Sequence, residues 1–177
     1  VRQAVSLALN RRDLIEAVAD GAGVLNPPGL PAGLREWALP VDQLGEGTAY
    51  YKHDHAQARR LLKEAGYAHG FQTVVDFHSF GEPGLVDGVQ LIIKYLKDVG
   101  IDARLNQKEY GAYVSSSVLG KYEGMIYGPS TPFLEPDSFL ATAYLPESPR
   151  NILKVNDPPL TDLILRQRRV RDLAKRR

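Results

Sequence analysis

Cysteine is absent from the 177 residues. This removes disulfides, thiolate metal sites and cysteine nucleophiles, and it suits an exported protein without requiring one. A surplus of one charge is missing too: 22 Lys and Arg stand against 21 Asp and Glu. That balance gives no electrostatic reason to expect a nucleic-acid partner. No apolar run reaches the length of a membrane span. A Gly-x-Ser-x-Gly elbow and a Walker-type glycine loop are also lacking. What is present is ordinary for a globular chain, 44% apolar and 24% charged. It suffices for one domain over residues 1–177 with a sizeable core. Val1-Arg-Gln-Ala-Val reads as helix interior, and the chain stops within a basic helical run, Arg166 to Arg177, without a stop signal. Both ends are therefore expected to be cuts, with no leader peptide in these residues. The basic run itself reads as a solvated helix face.

Local pattern gives the order of elements. Val1, Val5 and Leu9, with Ala4 and Ala8 beside them, make one helical stripe, and Asn10 offers a cap for a second helix with Leu14, Ile15 and Val18 on one face, ended by Gly21. From Gly21 to Thr48 the chain carries Pro27, Pro28, Pro31 and Pro40, an irregular segment of the kind that is functional or mobile. Asp54 caps a third helix through Ala58, Leu61, Leu62 and Ala65, closed by Gly66. A β-rich run follows from Phe71 to Phe80. Leu85, Val89, Ile92, Ile93 and Leu96 then make the cleanest amphipathic helix, up to Gly100. Ile101, Ala103 and Leu105 alternate with polar residues, as in a half-buried strand. Tyr113, Val114 and Val118 predict another helix, and Met125 to Tyr127 a short strand.

This is strand, helix, strand, helix, strand, an α/β order that favours a parallel βαβαβ sheet flanked by helices. Ligands of open α/β sheets sit beyond the carboxyl ends of the strands. Those ends are Phe77 to Gly81, Glu109 to Gly111 and Gly128 to Phe133.

The candidate chemistry is sparse. His53 and His55, two apart at a helix start, are expected to face away from each other and not to form a metal pair. His69 reads as a turn residue. His78, at a strand end beside Ser79 and Phe80, reads as pocket lining rather than a catalyst. Ser115, Ser116 and Ser117 read as a small-residue helix face, and Glu135 and Asp137 as turn and N-cap residues. No nucleophile, base and oxyanion donor come together. No metal or cofactor is expected, and the residues point to binding. Two other classes remain open: a ligand-sensing module of a regulator, and a small α/β enzyme using His78.

Four stretches, in order, carry a resemblance. They are Val1-Arg-Gln-Ala-Val-Ser-Leu-Ala-Leu-Asn-Arg-Arg-Asp-Leu-Ile, Leu61-Leu-Lys-Glu-Ala-Gly-Tyr, Leu96-Lys-Asp-Val-Gly-Ile-Asp-Ala-Arg-Leu, and Gly120-Lys-Tyr-Glu-Gly-Met-Ile-Tyr-Gly with Glu135-Pro-Asp-Ser-Phe-Leu. Together they resemble the family-5 extracellular solute-binding proteins of ABC transporters.

The resemblance implies a periplasmic-binding-protein-like lobe, the C-terminal half of a two-lobe clamshell truncated at both ends. It implies a periplasmic or extracellular place and closure around a small solute, peptide or non-peptide, for delivery to a membrane ABC permease. With the strand ends, it marks His78, Ser79, Phe80, Tyr127, Gly128, Pro129, Ser130, Thr131 and Phe133 as ligand-binding. Peptide-binding members often carry Trp-x-x-Asp-Tyr where this chain has Pro129-Ser-Thr-Pro-Phe133. The Asp that pairs with a peptide's amino terminus is thus missing. A non-peptide solute is the expectation, with Tyr127, Phe133 and Phe80 stacking on it. Glu135 is the nearest acidic residue that could serve a peptide instead.

Overall fold

The computed structural model describes residues 1–81, 84–129 and 133–177. Two short helices open it, α1 (Arg2–Ala8) and α2 (Arg11–Ala19). The irregular segment and two 3₁₀ stretches lead to α3 (His55–Glu64). Then come β1 (Phe71–Phe77), α4 (Leu85–Asp98), β2 (Ile101–Gln107), α5 (Tyr110–Ser115) and β3 (Met125–Ile126). Helices α6 (Pro136–Tyr144), α7 (Pro158–Gln167) and α8 (Leu173–Arg176) follow.

The expected alternation is present. The three strands form one parallel sheet in the order β2-β1-β3. Phe71 pairs with Ile101 and Phe77 with Gln107, so β1 and β2 are matched along their full length. Glycine sets that start: both Gly70 and Gly100 have positive φ, and a Cβ on Gly70 would lie 1.8 Å from the Gly100 carbonyl oxygen. Only a residue without a side chain admits this approach.

The period-2 pattern of the strands divides the sheet into two faces. Val75 and Phe77 of β1 and Ile101 and Ala103 of β2 point into a core shared with α1, α3 and α4. From α4 come Val89 and Leu96, fully buried, with Ile92 and Ile93 packed at the margin. Burial of such side chains contributes roughly 1.5–3 kcal/mol each relative to exposure. Tyr95, which the apolar stripe left out, is buried as well and donates its hydroxyl to Asp13 Oδ2 at 2.6 Å.

Several local expectations are corrected. In α1, Ala4 and Ala8 of the expected stripe are buried and Val5 packs at the core margin, but Leu7 joins the buried face and Val1 is exposed. The strand from Phe71 stops at Phe77, because the chain turns at His78 to form the groove described below. The predicted helix around Val118 breaks after Ser115, and a 3₁₀ turn takes Ser117 into the interior. The basic C-terminal run is not one helix, since α7 ends at Gln167 and α8 begins at Leu173. It faces solvent as expected, with Arg176 pairing with Glu135 at 2.8 Å, Arg168 with Asp137 at 2.7 Å and Arg177 with Glu36 at the surface. The guanidinium groups of Arg176 and Arg177 each lie 5.3 Å from the Trp37 ring centre. Glu135 stands at the N-cap of α6 without making a side-chain cap bond.

Candidate functional site: an aromatic groove at the strand ends

On the sheet face away from the core, β1 carries Asp76 and then His78. Beyond Phe77 the chain can no longer pair as a strand, and His78 is fixed by other means. Its Nδ1 accepts the backbone N–H of Phe80 at 3.2 Å, an arrangement that leaves the proton of the neutral ring on Nε2. The rings of Tyr110 and Tyr113 stand edge-on to it, with centroids 5.0 and 4.6 Å away. Only 3% of His78 is exposed, so it forms the floor of a groove rather than a free side chain.

That groove holds about 720 Å³. Its walls come from the end of β1 (His78, Phe80), from α5 (Tyr110, Tyr113), from the end of β3 (Gly128, Pro129), from Phe133 and from α6 (Phe139, Tyr144). An adjoining cleft of about 700 Å³ shares His78 and Phe80 and adds Ser79, Gln107, Lys108 and Glu109. Phe80 and Tyr110 stack with centroids 5.0 Å apart, although Phe80 is 66% exposed and Tyr110 45%. Two large rings are thus left in water next to a hollow. Phe133 meets Phe139 edge-on at 5.1 Å on the opposite side.

Below the groove lies a network the sequence did not reveal. Asp76, 2% exposed, takes the Lys108 ammonium at 2.6 Å and the Ser117 hydroxyl at 2.7 Å on Oδ2, and the Asn106 amide at 2.7 Å on Oδ1. Burial alone would raise its carboxyl. The hydrogen bonds from Lys108, Ser117 and Asn106, with the charge of Lys108, outweigh that and hold it below the ordinary range. Ser116 and Ser117 are therefore more than a small-residue face, since Lys108 reaches them at 3.2 and 2.9 Å, whereas Ser115 bonds back to the Gly111 carbonyl. Burial and the nearby Asp76 charge push the Tyr113 phenol up to about 12, so it stays protonated and donates to the Tyr127 carbonyl at 3.1 Å.

The structure brings together His78, Ser79, Phe80, Gly128, Pro129 and Phe133 of the sequence-chosen set. Ser130 and Thr131 lie outside the described residues. Tyr127 contributes differently from expectation. Its ring packs on the core side of the sheet, with its hydroxyl against Gly88 of α4, and only its carbonyl faces the groove. The alternation along β3 dictates this, since a ring at Tyr127 and the backbone at Gly128 leave the strand on opposite sides. Tyr110 lies in the second strand end, Glu109 to Gly111, but was not among the residues marked as ligand-binding, and Tyr113 was read only as part of a helix. A separate hollow of about 600 Å³ lies under the proline-rich segment, lined by Leu25, Pro27 and Leu39, and shares no residue with the groove.

Residues 1–150 match the family described as bacterial extracellular solute-binding proteins, family 5 Middle. The chain belongs to the family-5 solute-binding proteins. Di/tripeptide-binding protein 3 of Pseudomonas aeruginosa is 31% identical over 181 residues, covering 99% of this chain and 33% of that protein. The periplasmic binding protein DppA of Helicobacter pylori, solved in complex with the peptide STSA, superposes with a TM-score of 0.76 at 27% identity, over 99% of this chain and 33% of that one. HbpA2 of Haemophilus parasuis shares the fold with a TM-score of 0.83 at 22% identity, over 99% of this chain and 34% of that one. This family-5 chain thus spans about a third of the length of the relatives it matches, and its fold is a lobe-sized part of theirs.

Proposed function

We propose that this chain is the ligand-gripping part of an extracellular or periplasmic solute-binding protein that passes a small solute to an ABC permease. The observation that carries the reading is the aromatic groove at the carboxyl ends of three parallel strands, in a chain of this family. Residues 1–177 act as a single lobe, and a longer chain of the relatives' length encloses the solute by closing on it. Among the described residues, no helix is long and apolar enough to cross a membrane.

Binding rather than turnover fits the polar atoms. His78 Nδ1 is occupied by the Phe80 N–H, and the Ser79 hydroxyl accepts from Gln107 at 2.9 Å. Neither is placed as a base beside a nucleophile. The acidic side chains near the strand ends are already engaged: Asp76 by Lys108, Glu135 by Arg176, and Glu109 by the Ala112 N–H as the α5 cap. A buried ammonium without a carboxylate partner is costly. The preferred solute is therefore non-peptide, sugar-like or opine-like, with an apolar or planar part laid on Phe80.

Calorimetry on a chain of the relatives' length containing these residues is the test. Di- and tripeptides, sugars, opines and metal chelates form the panel. A non-peptide class should bind at about micromolar or better. Phe80→Ala and Tyr110→Ala should each weaken it about tenfold, and the 177-residue chain alone should bind far more weakly. Unmodified peptides binding best, with affinity lost in Glu135→Gln, would overturn the ligand class. Binding indifferent to both aromatic substitutions would overturn the site.

A further inference from the structure

On the other side of the sheet from the groove, two imidazoles meet. His53 Nε2 and His55 Nε2 are 2.9 Å apart, with ring centroids at 4.4 Å and planes crossed at 89°. The expectation that they face apart assumed both lay on a helix. In fact α3 begins at His55, and Asp54 between them is extended, φ −146° and ψ 90°, as its N-cap. Extended backbone puts residues two apart on the same side.

We propose that His53 and His55 form a two-imidazole clip for a divalent transition-metal ion of borderline softness, such as Zn²⁺ or Ni²⁺. Imidazole nitrogens bind such ions at about 2.0–2.1 Å, so two ligands at right angles sit about 3.0 Å apart and two at the tetrahedral angle about 3.4 Å. The observed 2.9 Å is already that bite. Ring packing also holds the pair, since the His53 and His55 rings stand 5.7 and 6.5 Å from that of Tyr95 on α4. His55 Nε2 lies 3.1 Å from the Ala8 carbonyl oxygen at the end of α1, a contact an ion would displace. Tyr95 in turn holds the Asp13 carboxylate, which adds negative charge to this corner. The Asp54 carboxylate is engaged by the Gln57 N–H and is not a ligand.

Coordination takes both rings in the neutral form with the proton on Nδ1, and the ion then replaces the Nε2 contact to Ala8. Among the described residues, no group of three or more His, Cys, Asp or Glu side chains converges on an ion. The clip therefore supplies two ligands, and water completes the shell. An ion held there ties the start of α3 to the packing around α1 and α4, and binding to the folded chain alone raises its stability by linkage.

Titration of the 177-residue chain with ZnCl₂ and with NiCl₂ tests this, read by calorimetry and by the imidazole proton resonances. One ion per chain should bind saturably, shift the signals of His53 and His55 only, and raise the unfolding temperature. His53→Ala and His55→Ala should each weaken binding at least about tenfold, since even the loss of a supporting group costs that much. His69→Ala and His78→Ala should leave it unchanged. Should an alanine variant fail to fold, His53→Gln and His55→Gln serve instead, with folding checked by circular dichroism. Absence of saturable binding, or binding that survives loss of either imidazole, would overturn the proposal.

Discussion

The Asp76 carboxylate and the Lys108 ammonium, on neighbouring strands' ends, lie 2.6 Å apart beneath the groove. Asp76 is almost wholly buried, while the Lys108 side chain keeps 22% of its exposure. The pair sits where β1 and β2 stop pairing, and the Lys108 N–H donates to the Phe77 carbonyl at 2.8 Å. It joins the two strand ends that carry His78 and Glu109, so groove geometry depends on it.

Lys108→Met should destabilise the chain by about 3–5 kcal/mol, because it leaves a buried carboxylate without its cation. Asp76→Asn should cost less, since it leaves no buried carboxylate without a cation, although its single oxygen can serve only one of the donors Asn106 and Ser117. The folded-state pKa of Asp76 is depressed. Its stabilising contribution is therefore fully present above the unfolded value of about 3.9 and is lost as pH falls through the folded value. Urea unfolding between neutral pH and strong acid should show a shallower acid loss in Asp76→Asn than in the parent sequence. Equal acid slopes would rule this out.

Gly128→Ala tests the groove floor. A Cβ there would lie 2.4 Å from the Tyr113 hydroxyl and 3.5 Å from His78 Nε2. Tyr113 must then move and give up its bond to the Tyr127 carbonyl. The expected cost is about 1–3 kcal/mol, with a changed near-ultraviolet signal from the tyrosines. Unaltered stability and spectrum would show that the floor is softer than described.

Alkaline titration followed by phenolate absorbance should separate the nine tyrosines. Tyr95, buried and bonded to Asp13, and Tyr113, buried near Asp76, are both pushed up to about 12. For these raised groups the stabilisation is fully present below the unfolded value of about 10 and is lost as pH rises through the folded one. Tyr95→Phe and Tyr113→Phe should each remove one late-titrating phenol while leaving the earlier ones unmoved.

Much of this was legible in the chain. The helical spacing of Leu85, Val89 and Leu96 and the alternation of Ile101 and Ala103 declare which sides are apolar, and glycines end the elements. That suffices for the parallel order, and the order locates His78, Phe80 and Gly128 at one rim. Partners distant in sequence were not legible. Nothing near Asp76 announces Lys108 or Ser117, because their meeting depends on strand register and on a broken helix. The two-residue spacing of His53 and His55 carries opposite meanings on helix and extended backbone, and the cap residue between them decides which holds. Tyr127 looked like a groove residue until the parity of its strand was fixed.

Tyr127 also works as a rivet through the sheet. Its strand is only two residues long, yet its ring is seated against α4 at Gly88 while its carbonyl receives Tyr113 on the far face. One residue thereby joins the back of the lobe to the floor of the groove. A displacement of α4 is therefore expected to reach the groove rim through Tyr127. A methyl group at Gly88, 2.5 Å from the Tyr127 hydroxyl, would press on the floor of the groove from behind.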